Sequence, residues 1–394
     1  MKFTLTRSTA LQVLKQALRT CNTKAKGQAD SEFLFKPDQD KLLVTSLNET
    51  AEQNLILPCE DLEYLPGEAF SAPGQAIVEF LSQFPDEEVK CVYNADNANL
   101  VIGNKKTRFA FPTGAGTDFV PFNYQAQGKS VEISAAALRD ALKSTAFAAS
   151  HDHTQAPLTA VHLTISGTEL MAEACDTLRI SRHTVEIDDV GADTIELLLP
   201  YETAETLAAL FEDIATVTVQ PGQRHVRFEW GETTFTSTLE NAIGKSYPEL
   251  SRFMKGKELG RVKISKGNLA RSLKLAALVA KDSYVTVAIK PMESDGTGGG
   301  LVISTNEAAG MSQDTLVVQE QSGESEVNVA HRFFSKAIDS VNSAWLVLAF
   351  QELKADTIAL VLVDGDFEHL IFPVTPNQTG DNDASEETES SDEE

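Results

Sequence analysis

The chain is short of the features that mark most catalytic and secreted proteins. Its 394 residues include only four cysteines, Cys21, Cys59, Cys91 and Cys175, and no two of them form a CxxC pair. That spacing offers neither a zinc site nor a disulfide framework; it points to reduced, buried thiols and a cytoplasmic setting. No apolar run reaches the roughly 18 residues of a membrane span, so no membrane partner is expected. The opening Met1-Lys2-Phe3-Thr4-Leu5 lacks the charged-then-apolar plan of a signal peptide. GxSxG, HExxH and Walker sequences are all missing. Base is scarce: 33 Lys and Arg face 58 Asp and Glu, a net charge of −25. Eight carboxylates and no base occupy 381–394, and the remainder still carries −17. Such a chain can bind nucleic acid only if its basic residues are gathered on one surface. The hydrophobic fraction of 42% and charged fraction of 23% are those of a globular protein. At roughly 100–200 residues per domain, two to four domains are expected.

What the sequence does contain is long-range self-similarity. Phe3-Thr4-Leu5-Thr6 leads to Leu14-Lys15, Val131-Glu132-Ile133-Ser134 to Leu142-Lys143, and Val262-Lys263-Ile264-Ser265 to Leu273-Lys274, at offsets of 128 and 131 residues. Each reads as a short alternating strand, a Thr or Ser helix cap and an amphipathic helix. Strands begin near Leu42, Leu170 and Leu301 at the same offsets. A second helix is expected over 74–84, 201–214 and 330–341, followed each time by short alternating strands. A period this long belongs to whole domains rather than a solenoid. The reading is an α+β chain of three tandem similar domains, 1–128, 129–259 and 260–376, with a polar, acidic and disordered tail over 377–394.

Candidate chemistry is sparse. His151-Asp152-His153 could supply two metal ligands, but no third stands at helical spacing, and no metal is expected. Gly296-Thr297-Gly298-Gly299-Gly300 precedes a strand, whereas a phosphate cradle needs a helix N-terminus behind it; it reads as a hairpin turn, and Gly114-Ala115-Gly116 as a loop. No cofactor is implied, and the chain is not expected to be an enzyme. The basic residues say more. The first helix of each unit carries a pair: Lys15 and Arg19, Arg139 and Lys143, Arg271 and Lys274. Arg332 and Lys336 stand on the third unit's second helix, and Lys24, Lys26 and Lys281 in loops after first helices. One helix that is basic in three copies of an acidic chain is a candidate DNA-facing stripe.

With these features the chain resembles the bacterial DNA polymerase III beta subunit (sliding clamp) family, as a divergent member, over residues 1 to about 376. The opening residues and three-unit layout are similar to the family's. Ala174-Cys175-Asp176-Thr177-Leu178-Arg179-Ile180 resembles its Ala-Thr-Asp-Gly-His-Arg-Leu. Tyr247-Pro248-Glu249-Leu250-Ser251-Arg252-Phe253 resembles Phe-Pro-Asp-Tyr-Arg-Arg-Val, and His369-Leu370-Ile371-Phe372-Pro373-Val374 resembles Tyr-Val-Val-Met-Pro-Met.

The resemblance implies the DNA clamp fold: a head-to-tail homodimeric ring, helices lining its interior and antiparallel sheets outside. It implies a processivity factor that encircles duplex DNA without sequence preference. A pocket would receive short peptide motifs of the replicative polymerase, the clamp loader, repair polymerases and ligase. By position that pocket would use Leu158, Cys175, Thr177, Leu178, Arg179, Pro248, Arg252, Phe253, Leu370, Ile371, Phe372, Pro373 and Val374, with Arg179 and Arg252 fixing polar ends. The dimer junction would bring Phe109 and Phe111 of one chain near Leu275 of the other. The setting implied is cytoplasmic and nucleoid-associated.

Departures stand beside these matches. Leu178 replaces a histidine and Thr177 a glycine, which changes the pocket mouth. Lys274 stands where the family often has an apolar residue. Glu79, Glu202, Glu205 and Glu212 make the second helices of the first two units poor in base. Elementary geometry favours two chains over one. At about 8–10 Å between packed helices, twelve helices close at an axis-to-axis diameter of about 38 Å. Less a helix thickness of about 10 Å, that leaves roughly 28 Å, wide enough for a duplex. The rival readings are a monomeric three-domain β-rich module that binds a ligand or protein without any DNA role, and a hydrolase using Asp176 with His151 or His153. Within the family, the rival is a phage or secondary clamp.

Overall fold

The computed structural model describes residues 1–22, 29–240, 246–280, 283–290, 299–307, 309–354 and 357–375. Lys24, Lys26, Lys281, the glycines at 296 and 298 and the acidic tail lie outside the described residues. The architecture is α+β with antiparallel sheets, and the chain divides into two compact units: 1–142 with 163–169 and 186–241, and 143–162 with 170–185 and 242–394.

The first unit holds two sheets. Five strands run in the order Glu60–Glu63, Lys2–Thr6, Glu88–Asn94, Asn99–Gly103 and Arg108–Pro112, the last being a free edge. Gly103, before that edge, has φ +147°, and an added Cβ would lie 2.1 Å from the Thr107 carbonyl oxygen, so the hairpin needs glycine there. The other sheet has nine strands, running from Gly114–Ala115 through Ala51–Leu57, next to Thr233–Thr238, to Val131–Ser134. Its neighbours pair antiparallel throughout. Helices α1 (Arg7–Leu18) and α2 (Gly74–Gln83) close over a core built round Phe33, Phe35, Phe70 and Leu14. The second unit carries a sheet in which Glu169–Cys175, Arg179–Glu186, Phe367–Ile371, Thr357–Asp364, Trp345–Lys354, Lys257–Ser265 and Glu320–Gly323 follow in order. A separate four-stranded sheet ends on the free edge Gly310–Leu316. The helices here are α5 (Lys266–Ala280) and α6 (His331–Ser340). Between α2 and α5 in the sequence come α3 (Ala135–Thr145) and α4 (Tyr201–Leu210).

The repeat is built into the hydrogen bonding. Helices α1, α3 and α5 start at 7, 135 and 266, at the offsets read from the sequence. The first amide of each, from Arg7, Ala135 and Lys266, donates to the backbone carbonyl of Glu87, Ala215 and Ala344, beyond that unit's second helix. The expected Thr or Ser side-chain cap is corrected in part. Ser134 Oγ accepts from the Ala137 amide at 3.3 Å, but Thr6 makes no side-chain cap bond. The Glu87 carboxylate accepts the Ser8 amide instead, at 2.8 Å. A long-range acceptor thus does the work of the local one, satisfying helix N–H groups that have no partner within the helix. The second helix of the middle unit stops at Leu210, capped by Phe211, so Glu212 lies beyond it. Among the described residues, no helix is long and apolar enough to cross a membrane.

Candidate functional site

The strand Phe367–Ile371 organises the site because successive side chains of a strand point to opposite faces. It pairs with Arg179–Glu186 in the register Arg179 with Ile371, Ile180 with Leu370 and Ser181 with His369. On one face Leu370 and Ile180 join Cys175, Leu250, Met254, Ala349, Ala359 and Val361 in a buried cluster. Leu158, Tyr247, Phe253, Leu353, Val363 and Phe372 pack around it, partly exposed. Where this cluster meets solvent, Arg252, Phe253, Leu353, Lys354, Thr357 and Phe372 line an open cleft of about 460 Å³. Phe253 and Phe372 meet edge to face at 5.9 Å, and the Arg252 guanidinium lies 4.7 Å from the Phe253 ring centre. An apolar floor with two cations on its rim suits an extended peptide that has an apolar anchor and acidic groups.

The opposite face belongs to a different core. Ile371, 1% exposed, packs among the residues under α5 and α6, and Val374 leans on that same core. Ile371 therefore lies on the face away from the cleft, a correction that follows from strand alternation. Arg179 lies off the cleft too. Its side chain is 4% exposed and ion-paired to Asp176 at 2.8 Å, with the guanidinium 4.3 Å from the Phe333 ring centre on α6. Its guanidinium is thus turned to Asp176 and Phe333 rather than to the solvent-facing cleft. Burial is the main reason its pKa is lowered, against the pull of Asp176. Pro248, half-buried, and Pro373, exposed, sit on the segments flanking the cleft. Sequence reasoning missed Leu353, Lys354 and Thr357, which arrive through the pairing of Lys354 with Thr357 in a hairpin outside every motif. It also passed over Tyr247, Leu250 and Met254 as wall residues, although their spacing round the turn Leu250–Arg252 carries the signal.

A polar clamp holds this wall. Glu173, 5% exposed, accepts from Arg182 Nε at 2.9 Å and Nη2 at 2.6 Å and contacts His162 Nδ1 at 3.2 Å. Arg182 Nη2 also reaches Ser251 Oγ at 3.3 Å, tying the segment beside Arg252 to the sheet. Desolvation pushes the Glu173 pKa up, but hydrogen bonds from His162 and Arg182 outweigh it and hold the carboxyl below its usual range. Burial raises the Cys175 thiol to about 11, so it stays protonated and serves as floor.

At the mouth, Asp176 Oδ1 accepts the amides of Leu178 and Arg179, both at 3.1 Å. Thr177 has φ +74° and is exposed, and Leu178 is 38% exposed. A β-branched residue is strained in that conformation, costing about 1–2 kcal/mol. Thr177→Gly is expected to stabilise the fold by about 1 kcal/mol, read as a higher melting temperature; an unchanged or lower one would mean the turn is relaxed as it stands. His153 opens a single 3-10 turn, His153–Gln155, whose N-cap Asp152 accepts from the Thr154 amide and hydroxyl and from Gln155.

The basic residues fall on exposed helix faces. Lys15, Lys143, Arg271 and Lys274, and Arg332 and Lys336 are exposed on their helices, the two pairs at three- and four-residue spacing, while Arg19, also exposed, caps the end of α1 rather than lying within it. Buried Ala10, Leu14 and Ala17 of α1 and Leu269, Leu273 and Ala276 of α5 hold the opposite sides. α1 and α5 carry no acidic residue and α3 only Asp140. Arg139 is half-buried and tied to Asp140 at 2.9 Å, and Arg271 lies 3.8 Å from Asp314. At the free edge of the five-stranded sheet, Phe109 is 51% exposed while Phe111 is buried against Phe80. Phe80, Phe84 and Phe109 border an open apolar cleft of about 420 Å³. Leu275 and Leu278 of α5 and Met311 of the free edge Gly310–Leu316 are exposed.

The fold is that of a clamp-type subunit, and comparisons with known proteins agree. Residues 132–249 match the family of the DNA polymerase III beta subunit, central domain. The beta sliding clamp of Staphylococcus aureus is 22% identical over 212 residues, 53% of this chain and 55% of that one, so the chain spans about half the length of such relatives. The beta sliding clamp of Pseudomonas putida is 21% identical over 324 residues, 81% of this chain and 80% of that protein. Among solved structures, the beta chain of DNA polymerase III from Streptococcus pneumoniae superposes with a TM-score of 0.83 at 17% identity, covering 95% of this chain and 99% of that one. The chain thus carries the fold of the bacterial DNA polymerase III beta subunits, and its segment 132–249 matches the family of their central domain.

Proposed function

We propose that this chain is a DNA sliding clamp: a non-catalytic processivity factor in which two copies join head to tail around duplex DNA. The observation that carries the reading is the exposed basic face on the first helix of all three repeats, in a chain of net charge −25. Scattered surface lysines would not recur at offsets of 128 and 131 on helices seated by the same backbone cap. Three tandem domains, 1–128, 129–259 and 260–376, would each bring two helices to the inside of the ring. Their cations meet phosphates without reading bases, which permits sliding, while the acidic remainder repels DNA elsewhere.

The cleft at Arg252 and Phe372 then tethers short motifs from the replicative polymerase, clamp loader, repair polymerases and ligase, raising their concentration at the template. The subunit junction is a union of free edges: Arg108–Pro112 with Phe109 of one chain, Gly310–Leu316 with Leu275 of the other. Joining them removes two unpaired strand edges per contact. Phe111 supports Phe109 from within.

Mass in solution tests the assembly. The expected value is about 85 kDa, twice the 42.7 kDa chain. Phe109→Asp is expected to reduce it to that of one chain, with the circular dichroism spectrum unchanged. A wild-type protein that sediments as a single chain would contradict the ring.

A further inference from the structure

We propose that the middle repeat binds an extended basic segment of a partner protein, which adds as a strand to the free edge Val131–Ser134.

The other two repeats show what belongs at that edge. Their opening strands each lie between two neighbours. Lys2–Thr6 has Glu88–Asn94 on one side and Glu60–Glu63 on the other, and Lys257–Ser265 has Trp345–Lys354 and Glu320–Gly323. Val131–Ser134 has Thr216–Pro221 on one side and ends its sheet on the other. The difference arises in the segment after Arg179–Glu186, which in the other copies supplies the flanking strand. Here the amides of Ile187 and Val190 donate to the carbonyls of Thr168 and Gly167 at 2.9 and 3.0 Å, and the Gly167 amide donates to the Gly191 carbonyl at 2.9 Å. These bonds tie the segment to a hairpin turn instead. An open cleft of about 360 Å³ is left, lined by Lys129 and Val131 together with Val190, Asp193, Thr194 and Ile195.

The edge is aligned to pair. The Ala135 amide donates to the Ala215 carbonyl, in one register with the pairs of Val131 with Val219 and Ile133 with Val217. By alternation the N–H and C=O of Glu132 point the opposite way, to the open side. Its counterparts at the two repeat offsets, Thr4 and Lys263, are the residues that face Glu60 and Glu320 across the occupied edges. A strand edge with such groups unpaired is what an extended peptide completes.

Charge selects the occupant. In the filled copies the cross-strand partners are opposite in sign: Lys2 with Glu63 at 3.1 Å, and Lys263 with Glu320 at 3.8 Å. Where the third repeat has Lys263, the middle repeat has Glu132, which is exposed and has no ion partner among the described residues. The cleft lining adds Asp193 and Glu196 against a single cation, Lys129. A basic residue therefore suits the place opposite Glu132, and apolar residues suit the alternate places, on the face shared with buried Val131 and Ile133. The chain's own acidic stretch, 381–394, carries the wrong sign for this edge.

The probe is a short fluorescein-labelled peptide of alternating lysine and valine, titrated into the full chain and followed by anisotropy. Glu132→Lys is expected to weaken its binding by about fivefold or more, a lost exposed ion pair with a repulsion added. Glu132→Pro removes an amide aimed at the open side and leaves the bonds to Thr216–Pro221, so it is expected to weaken binding by about tenfold or more at an unchanged melting temperature. Hydrogen exchange separates strand addition from charge alone: the Glu132 amide is expected to exchange more slowly once the peptide is bound. A peptide of alternating glutamate and valine is expected not to bind. Absence of binding by the lysine–valine peptide overturns the proposal, as does binding that leaves Glu132 exchange unchanged or that the glutamate peptide matches. Should Glu132→Pro lower the melting temperature, the affinity of Glu132→Lys and the wild-type exchange decide.

Discussion

Replacing Arg252 and Phe372 together by alanine is expected to weaken binding of a short apolar-anchored acidic peptide by about 100-fold or more. The size follows from what each contributes. Phe372 is one of two aromatic walls of the cleft, standing edge to face with Phe253 at 5.9 Å. Truncating a central aromatic or arginine anchor costs about 2 kcal/mol or more, and two such losses multiply. The folded chain should tolerate the change, since Arg252 is exposed and Phe372 half-buried. The buried floor beneath, Leu370, Leu250, Met254 and Val361, is left whole. Calorimetric titration of the peptide, with melting temperature as control, separates the outcomes. Unchanged affinity would mean that partners dock elsewhere. Arg179→Ala is a different experiment: it removes a buried cation and its pair with Asp176, so its effect should appear first in stability.

The second large effect concerns DNA. Lys15, Lys143 and Lys274, one from each repeat, are exposed, and among the described residues no acidic side chain pairs with them; Arg139 and Arg271 already have Asp140 and Asp314 beside them. Changing the three lysines to glutamate turns three attractions to phosphate into repulsions in each chain, and six in a pair of chains. The expected result is residence on linear duplex shortened by about 10- to 100-fold at low salt, with a much smaller difference at high salt, where the Debye length shrinks to about 3 Å at 1 M. The slope of log affinity against log salt should also flatten, by about one for each phosphate no longer neutralised. A triple variant with wild-type residence and slope would reduce the stripe to ordinary wet surface.

Much of this was legible in the residues. The strand–helix openings, the 128 and 131 offsets and the basic pairs are local patterns that survive folding, because each is written within one helix or strand. The cleft was partly legible: Leu158, Cys175, Phe253, Leu370 and Phe372 do share one face. What stayed hidden depended on register and on distant partners. Ile371 lies between two cleft residues in sequence and on the other side of the sheet in space, as its pairing with Arg179 dictates. Arg179 looked like a surface cation because its charge suggests exposure; besides the neighbouring Asp176, its burial depends on Phe147 and Phe333, which the sequence does not bring near. Lys354 and Thr357 reach the rim only through hairpin pairing. The caps from Glu87, Ala215 and Ala344 are contacts across about 80 residues, beyond any local motif.

Retention on circular duplex bears most directly on the central claim. Protein placed on a closed circle and passed through a sizing column is expected to stay with the DNA, and to be lost when one cut makes the circle linear, because enclosure and not adhesion holds it. Equal retention on circles and on linear DNA of the same length, or none on either, would contradict a ring that encloses the duplex.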